Sequence, residues 1–164
     1  MKRAVIIGSP GSGKSFFSRR LREVSGLPLF HLDMIYHRPD RTHLSREEFD
    51  SRLGGILQGE SWIIDGNYNR TIEMRLKACD TVFLFDLPLD VCLEGARDRV
   101  GKERPDIPWA ETELDPEFEQ FIREFPEKHL PGIYSLLEKY RDKDINVFNT
   151  REQAEEYLQN YNKE

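Results

Sequence analysis

The sequence predicts an α/β fold, a three-layer α/β/α sandwich in which helices cover both faces of a parallel β-sheet. Five short apolar runs, rich in β-branched and aromatic residues, alternate with longer segments of helical periodicity along the 164 residues. This alternation is typical of parallel sheets whose strands are joined by helices. A glycine-rich loop links the first apolar run to the first helical segment and favours the same fold class. The length fits one domain, residues 1–164, because a chain of this size buries about two-thirds of its unfolded surface.

The first predicted strand, residues 3–7, runs into a loop that carries the clearest chemical signal in the chain. The loop matches the pattern G-x-x-x-x-G-K-[ST], the P-loop or Walker A motif, at every fixed position: Gly8, Ser9, Pro10, Gly11, Ser12, Gly13, Lys14 and Ser15. Its glycines allow positive φ, so that successive N–H groups can form an anion-binding nest. Lys14 would contact the β- and γ-phosphates and the Ser15 hydroxyl would bind Mg²⁺. The motif therefore predicts a nucleotide site for ATP or ADP, with Mg²⁺ as cofactor.

Carboxylates follow the second and third predicted strands. Residues 29–32 lead to Asp33, and residues 61–64 lead to Asp65. Both should lie near the P-loop, because the carboxyl ends of parallel strands share one edge of the sheet. Either carboxylate could reach Mg²⁺, directly or through water, bind an acceptor hydroxyl or accept its proton. We take Asp33 and Asp65 as catalytic candidates, with Asp65 and Ser15 as the metal candidates; helix capping is the alternative for Asp33.

The polar segment after Asp65 supplies candidate ligands for an acceptor. Gly66 would let an acceptor approach the backbone. Arg70 and Arg75, five residues apart, could offer forked donors to an anion, although a solvated helix face is the alternative for each. The predicted acceptor site is Asp33, Gly66, Asn67, Tyr68, Arg70 and Arg75.

A cationic segment at about residues 97–115 is the predicted lid. Arg97, Arg99, Lys102 and Arg104 lie close together in it, and glycine and proline residues interrupt regular structure there. A basic loop that folds over a phosphoryl-transfer site excludes water and supplies positive charge. Arg99 and Arg104 are the catalytic candidates, and an exposed charged turn is the alternative.

The remaining elements follow from local signals. A capping box at Ser45-Arg46-Glu47-Glu48 begins a helix, residues 81–85 and 144–148 are the fourth and fifth strands, and Thr150 caps the last helix. The spacing of six between His31, His37 and His43 matches neither a helical nor a strand pair of metal ligands, so no metal site is predicted there.

A helix is also predicted to begin at Asp115, because Pro116 and Glu117 suit its first turn. Its apolar residues recur at helical spacing and are expected to form core rather than a surface that stacks on bases. These are Phe118, Phe121, Ile122 and Phe125. Pro126 and the pair Pro131-Gly132 are expected to break the helical run.

Composition limits the possible partners. The net charge is -6, which is unfavourable for neutralising a duplex, so direct DNA binding is not expected. No apolar run approaches about 18 residues, which predicts a cytoplasmic protein without a membrane span. Cys79 and Cys92 have no metal-ligand neighbours and are expected to be reduced thiols.

Taken together, these motifs resemble the P-loop nucleoside-monophosphate kinase group, which includes the adenylate-kinase-like and shikimate-kinase-like enzymes. Within the group, the chain is most similar to small bacterial proteins named DNA topology modulation protein, or FlaR-related. The matching stretches are Ile6-Ile7-Gly8, His31-Leu32-Asp33, Trp62-Ile63-Ile64-Asp65-Gly66-Asn67-Tyr68, Arg70, Arg75-Leu76, Asp80, Asp86-Leu87-Pro88 and Arg104-Pro105-Asp106.

The resemblance implies a P-loop NTPase fold, with a five-stranded parallel sheet in the order 2-3-1-4-5, and ATP-dependent phosphoryl transfer to a nucleotide or a small hydroxyl or phosphate acceptor. A nucleotide-binding regulatory protein that acts on DNA topology or on a protein partner is the alternative. The chain departs from the adenylate-kinase pattern where that pattern has an arginine and this sequence has Gly95; the second patterned arginine is Arg99. The sequence leaves the acceptor and the oligomeric state open.

Overall fold

The structure, a computed structural model, describes residues 1–161. Five strands and eight helices alternate along this part of the chain. They are β1 (Arg3–Gly8), α1 (Lys14–Ser25), β2 (Leu29–His31), α2 (Leu32–Tyr36), α3 (Arg46–Leu57), β3 (Trp62–Asp65), α4 (Asn69–Ala78), β4 (Thr81–Phe85), α5 (Leu89–Asp98), α6 (Pro116–Lys128), α7 (Leu130–Lys139), β5 (Asp144–Phe148) and α8 (Arg151–Tyr161).

All strand pairs in the sheet are parallel, and the strand order is β2-β3-β1-β4-β5. The predicted order is therefore confirmed. Strand β1 lies at the centre, with Ile6 opposite Asp65 of β3 and Gly8 opposite Phe85 of β4. The loop that follows β1 consequently emerges between the carboxyl ends of its two neighbours, where ligands bind in open α/β sheets.

Helices cover both faces of the sheet, as the alternating strand and helix patterns predict. Ala4 and Ile6 of β1 belong to one buried cluster, which includes side chains from α1, α5 and α8. Val5 and Ile7 belong to the other, which includes side chains from α3, α4 and α7. Because successive side chains of a strand point to opposite faces, β1 contributes to both layers of the core and is apolar throughout.

Neither predicted helix break lies where the sequence placed it: the helical run is interrupted at His129, and Pro131 and Gly132 lie inside α7. Helix α6 continues through Pro126 to Lys128. Proline cannot donate to the carbonyl of Ile122, but the next turn closes normally, with the His129 N–H donating to the Phe125 carbonyl at 3.0 Å. The buried side chains of Ile122 and Phe125 hold this part of the helix against the core. Pro131 lies in the first turn of α7, where a missing N–H costs little.

Cys79 and Cys92 are free thiols in the structure, and both are buried. No helix within residues 1–161 combines the length and the apolar character needed to cross a membrane.

Candidate active site

The P-loop adopts the conformation that its glycines permit. Gly8, Gly11 and Gly13 have φ values of 128°, 78° and 103°. Space is also restricted, because a Cβ at Gly8 would lie 2.2 Å from the Phe85 carbonyl oxygen and one at Gly11 would lie 2.1 Å from that of Cys92. Glycine is thus required at both positions by dihedral angle and by contact.

Lys14 and Ser15 open helix α1, so both side chains lie at its positive end. The Lys14 Nζ donates to the Ser9 carbonyl at 2.8 Å. Loss of solvation lowers the pKa of Lys14 to about 8, against the opposing effect of the Asp65 charge. The ammonium group therefore rests on its own loop, within reach of any anion that this loop binds.

Three oxygen atoms meet beside the P-loop. The Ser15 Oγ lies 3.1 Å from Oδ2 of Asp65 and 2.9 Å from Oδ2 of Asp106. Burial alone would raise the pKa of Asp106, but Arg104, which binds both carboxylate oxygens at 3.1 and 2.7 Å, lowers it to about 2. Hard oxygen donors of this kind suit Mg²⁺.

The carboxylates at the ends of β2 and β3 have neighbouring partners. His31 lies opposite Asp65 in the sheet, and its Nδ1 is 2.8 Å from the Asp65 Oδ2. Asp33, in the first turn of α2, accepts a hydrogen bond of 2.6 Å from the Tyr68 hydroxyl. Burial raises the pKa of Asp33 and outweighs the lowering effect of that bond. Such a carboxylate is suited to taking up a proton.

Two cavities meet at this point. A larger one, of about 620 Å³, lies between the P-loop, the lid segment and the start of α8. A smaller one, of about 250 Å³, lies between the ends of β2 and β3, the lid segment and α6. Six residues line both cavities: Gly11, Lys14, Ser15, Arg99, Arg104 and Asp106.

The structure does not bring two of the predicted acceptor ligands into the smaller cavity. Arg70 is exposed and pairs with Asp50 of α3 through two hydrogen bonds of 2.9 and 2.7 Å. Arg75 is fully buried and donates to the carbonyls of Thr71 and Gly66, and also to that of Asn67. Arg75 therefore holds the loop after β3 rather than facing a ligand.

Gly66, Asn67 and Tyr68 do line the smaller cavity. Both polar atoms of the Asn67 amide, however, bind the P-loop. Its Oδ1 accepts from the Gly8 N–H at 2.9 Å, and its Nδ2 donates to the Gly8 carbonyl at 2.8 Å. These two bonds continue the pairing of β1 and β3 beyond the last strand residue. The Asn67 side chain thus fixes the start of the P-loop instead of binding an acceptor.

The segment predicted as a lid lies over the P-loop. Arg99 lines both cavities, and its buried Nε has no hydrogen-bond partner within residues 1–161. Arg97 instead pairs with Glu119 of α6 at 3.0 Å. Farther along, the Trp109 ring packs 5.1 Å from that of His37 and 5.3 Å from the Arg41 guanidinium. Lys102 also lines the larger cavity and is exposed, whereas Arg99 places a buried, unpaired donor beside the P-loop.

Comparisons with known proteins agree with this architecture. The shikimate kinase from Acinetobacter baumannii in complex with shikimate superposes with a TM-score of 0.60 at 17% identity, covering 97% of this chain and 89% of that one. The shikimate kinase from Bacteroides thetaiotaomicron gives 0.59 at 18%, covering 99% and 97%. A gluconokinase from Sinorhizobium meliloti 1021 gives 0.58 at 14%, covering 98% and 89%. This chain has the fold of the P-loop kinases.

Sequence relatives are more distant and partial. Adenylate kinases of Thermotoga petrophila and Thermotoga maritima are each 27% identical to the chain over 84 residues. That stretch covers 50% of this chain and only 37% of each relative. No protein-family model matches the sequence.

Within this P-loop kinase fold, the glycine at position 95 has a steric cause. A Cβ there would lie 2.2 Å from the Gly11 carbonyl oxygen and 2.7 Å from Nη2 of Arg151. Arg151, at the start of α8, donates to the carbonyls of Gly11 and Ser12 at 3.3 and 3.4 Å. A guanidinium therefore does lie on the P-loop, but it comes from α8 and leaves no room for an arginine at position 95.

We expect Gly95→Ala to destabilise the protein by about 1–3 kcal/mol, because the new methyl group would push against backbone atoms of the P-loop. Gly132→Ala is the matched control, since an added Cβ there meets nothing within 4 Å; it should be neutral or slightly stabilising. Urea unfolding of both variants measures the difference. Equal midpoints for the two would contradict the close contact at Gly95.

Four residues that line the smaller cavity were not among the predicted site residues: His31, Asp106, Phe118 and Phe121. His31 and Asp106 could have been proposed from the sequence, because each lies close to a predicted site residue. His31 is two positions before Asp33, and Asp106 is two positions after Arg104. Phe118 and Phe121 were predicted as core. They are only partly buried, whereas Ile122 and Phe125 of the same helix are buried as predicted.

Proposed function

We propose that this protein is a kinase that transfers the γ-phosphoryl group of MgATP to a hydroxyl group of a small acceptor. The observation that carries the proposal is the shared wall of the two cavities, in which Lys14 and Ser15 of the P-loop face both spaces. ATP bound in the larger cavity would present its terminal phosphate to the smaller one. The fold shared with shikimate kinases and a gluconokinase supports this assignment.

The nucleotide end uses the P-loop. Its N–H groups and the amino end of α1 would bind the phosphates, and Lys14 would move from the Ser9 carbonyl to the β- and γ-oxygens. Ser15 and Asp65 would hold Mg²⁺, with Asp106 close enough to take part. When bound, the ion neutralises charge on the phosphates. Residues 1–161 contain no cluster of three or more histidine, cysteine or carboxylate side chains placed for a metal, so phosphate oxygens and water would complete its coordination.

The acceptor end uses Asp33. An acceptor hydroxyl beside this carboxylate would attack the γ-phosphorus; its proton would pass to Asp33, and the bond from the γ-phosphorus to the bridging oxygen of ADP would break. The Tyr68 hydroxyl holds the Asp33 carboxylate in place at 2.6 Å. Arg99, with its unpaired Nε, and Arg104 would supply positive charge near the transferred group.

The test is formation of ADP that depends on an added acceptor. The protein is incubated with MgATP and, separately, with nucleosides, nucleoside monophosphates and small hydroxyl metabolites, and ADP is measured by a coupled assay. We expect ADP release to rise at least tenfold above the acceptor-free rate with one of these classes. A rate that no acceptor changes, together with salt-sensitive retention on DNA, would replace the kinase proposal with the regulatory alternative.

A further inference from the structure

We infer that the acceptor is an uncharged hydroxyl compound with a flat ring, of the nucleoside class, and that phosphorylated and carboxylated acceptors are excluded. The inference rests on the proposed function and concerns the smaller cavity. Two features carry it: the cations that line this cavity are paired with carboxylates or lie where the proposed function places the ATP phosphates, and one of the cavity walls is aromatic.

Three lysine and arginine side chains line the smaller cavity within the described part of the chain: Lys14, Arg99 and Arg104. Lys14 belongs to the P-loop and faces the ATP phosphates. Arg104 pairs with Asp106 at 2.7 Å and with Glu111 at 3.2 Å. Arg99, whose buried Nε has no hydrogen-bond partner among the described residues, lies on the boundary with the larger cavity, and the proposed function assigns it to the transferred phosphoryl group. With that assignment, none of the three is left to bind an anionic group on the acceptor.

The neighbouring arginines do not supply the missing charge. Arg70 is held by Asp50 on the surface, and Arg75 donates to backbone carbonyls beneath the loop after β3. The groups at the acceptor end are instead two carboxylates, Asp33 and Asp65, with His31 bonded to the second. An acceptor phosphate or carboxylate would be buried without a partner and beside like charges, which strongly disfavours binding.

The aromatic wall is formed by Phe118 and Phe121 of α6. Their ring centroids are 6.4 Å apart with an interplanar angle of 29°, and both rings line the cavity. Partly exposed rings next to polar groups are suited to a ligand with one flat apolar face and several hydroxyls. A volume of about 250 Å³ limits the ligand to a small molecule. A nucleoside, whose base can stack and whose sugar hydroxyl can reach Asp33, combines these properties.

The experiment compares adenosine, guanosine, cytidine and uridine with their 5′-monophosphates and with shikimate, using the full-length protein and MgATP. At least one nucleoside should be phosphorylated with a kcat/KM at least 100-fold above that of its monophosphate. Preferred phosphorylation of a monophosphate or of shikimate would overturn this inference while leaving the kinase proposal intact. An amine-bearing alcohol preferred over every nucleoside would also overturn it.

If no acceptor is phosphorylated, that result counts against the kinase proposal. A binding measurement then still tests the inference about the acceptor class. Calorimetry is performed with each nucleoside and its monophosphate on protein saturated with Mg²⁺ and a non-hydrolysable ATP analogue. Nucleoside binding at least 30-fold tighter than that of its monophosphate supports the inference. Equal or reversed affinities overturn it.

Substitution of Phe118 tests the wall. Phe118→Ala should weaken nucleoside binding about tenfold, because base–aromatic stacking contributes about 1–3 kcal/mol per base. Phe118→Tyr keeps the ring and should restore binding to within a few-fold of wild type, a rescue that a merely structural defect would not show. Both variants should bind the ATP analogue as wild type does. Unchanged nucleoside affinity in Phe118→Ala would show that the Phe118 ring does not stack on the base, contrary to the inference.

Discussion

We expect the Lys14→Ala protein to fold but to gain little stability from MgATP. A ligand that binds only the native state at a hundredfold excess over its dissociation constant stabilises that state by about 2.7 kcal/mol. For a chain of this size we expect the wild-type melting temperature to rise by roughly 5–10 °C. The variant should lose most of this shift, because the ammonium group beside the P-loop is gone. Scanning calorimetry with and without MgATP measures both values.

Lys128→Ala is the matched control, since this lysine is exposed and pairs only with Glu124 on the surface of α6. It should keep the full shift. An undiminished shift in Lys14→Ala would show that the nucleotide binds away from the P-loop.

The same lysine predicts a pH dependence. Its pKa of about 8 in the free protein means that Lys14 is protonated below that pH. Bound phosphates favour the cation, so its pKa in the complex is higher than in the free protein. Nucleotide affinity should therefore be level with respect to Lys14 below about pH 8 and fall above it, by up to tenfold per unit. Titration calorimetry between pH 7 and 9.5 would show this fall in wild type, and its persistence in Lys14→Ala would contradict the assignment.

Asp33→Asn should reduce kcat/KM for the acceptor by about 10²–10⁴-fold, the usual range for loss of a general base. The amide keeps the size of the side chain and can still accept from Tyr68, but it cannot take the hydroxyl proton. Affinity for MgATP should change little, because Asp33 lines the smaller cavity and not the larger one. Steady-state kinetics with the best acceptor, combined with calorimetry of ATP binding, separates the two effects.

Asp50→Asn is the control for this change. Asp50 is a partly exposed carboxylate on α3 whose partner is Arg70, outside the two cavities at the P-loop. Its loss should leave acceptor turnover within about twofold of wild type, as is usual for surface ion pairs. Should Asp33→Asn retain wild-type turnover, Asp33 would not be the base, and Asp65 would be the next carboxylate to test.

Much of the fold could be predicted because its signals are local. Strands β4 and β5 have the predicted bounds, Thr81–Phe85 and Asp144–Phe148, since each is a short apolar run between turn residues. Ser45 caps α3 by accepting from the Glu48 N–H at 3.1 Å, as the capping box predicts. Pro126 misled the prediction, because a proline near the end of a helix removes a bond that tertiary packing can replace.

The sequence by itself also predicts the residues on which the proposed chemistry rests. The P-loop motif specifies glycines, a lysine and a serine at fixed spacing. Parallel strands end at the same edge of a sheet, which brings Asp33 and Asp65 to that edge. Position along the chain was enough here because Asp65 ends β3 and Asp33 lies two residues beyond the end of β2, and both strands run in the same direction.

The tertiary structure decided which polar groups remain available to a ligand. Arg70 and Arg75 look equivalent in the sequence, but five residues turn an α-helix by about 500°, so the two side chains point in directions about 140° apart. One faces Asp50 and the other the buried carbonyls of the loop after β3. Neither outcome is visible without knowing which face of α4 packs against the sheet.

The contacts across the P-loop are of the same kind. Asn67 binds Gly8 from 59 positions away, Asp106 meets Ser15 from 91, and Arg151 reaches the Gly11 carbonyl from 140. No periodicity or motif spans such separations, because the chain path between the partners is set by packing of the whole sheet. The sequence thus determined the P-loop motif and the sheet edge at which it lies. Only the folded arrangement decided which side chains hold the P-loop, which line the smaller cavity, and why position 95 is glycine.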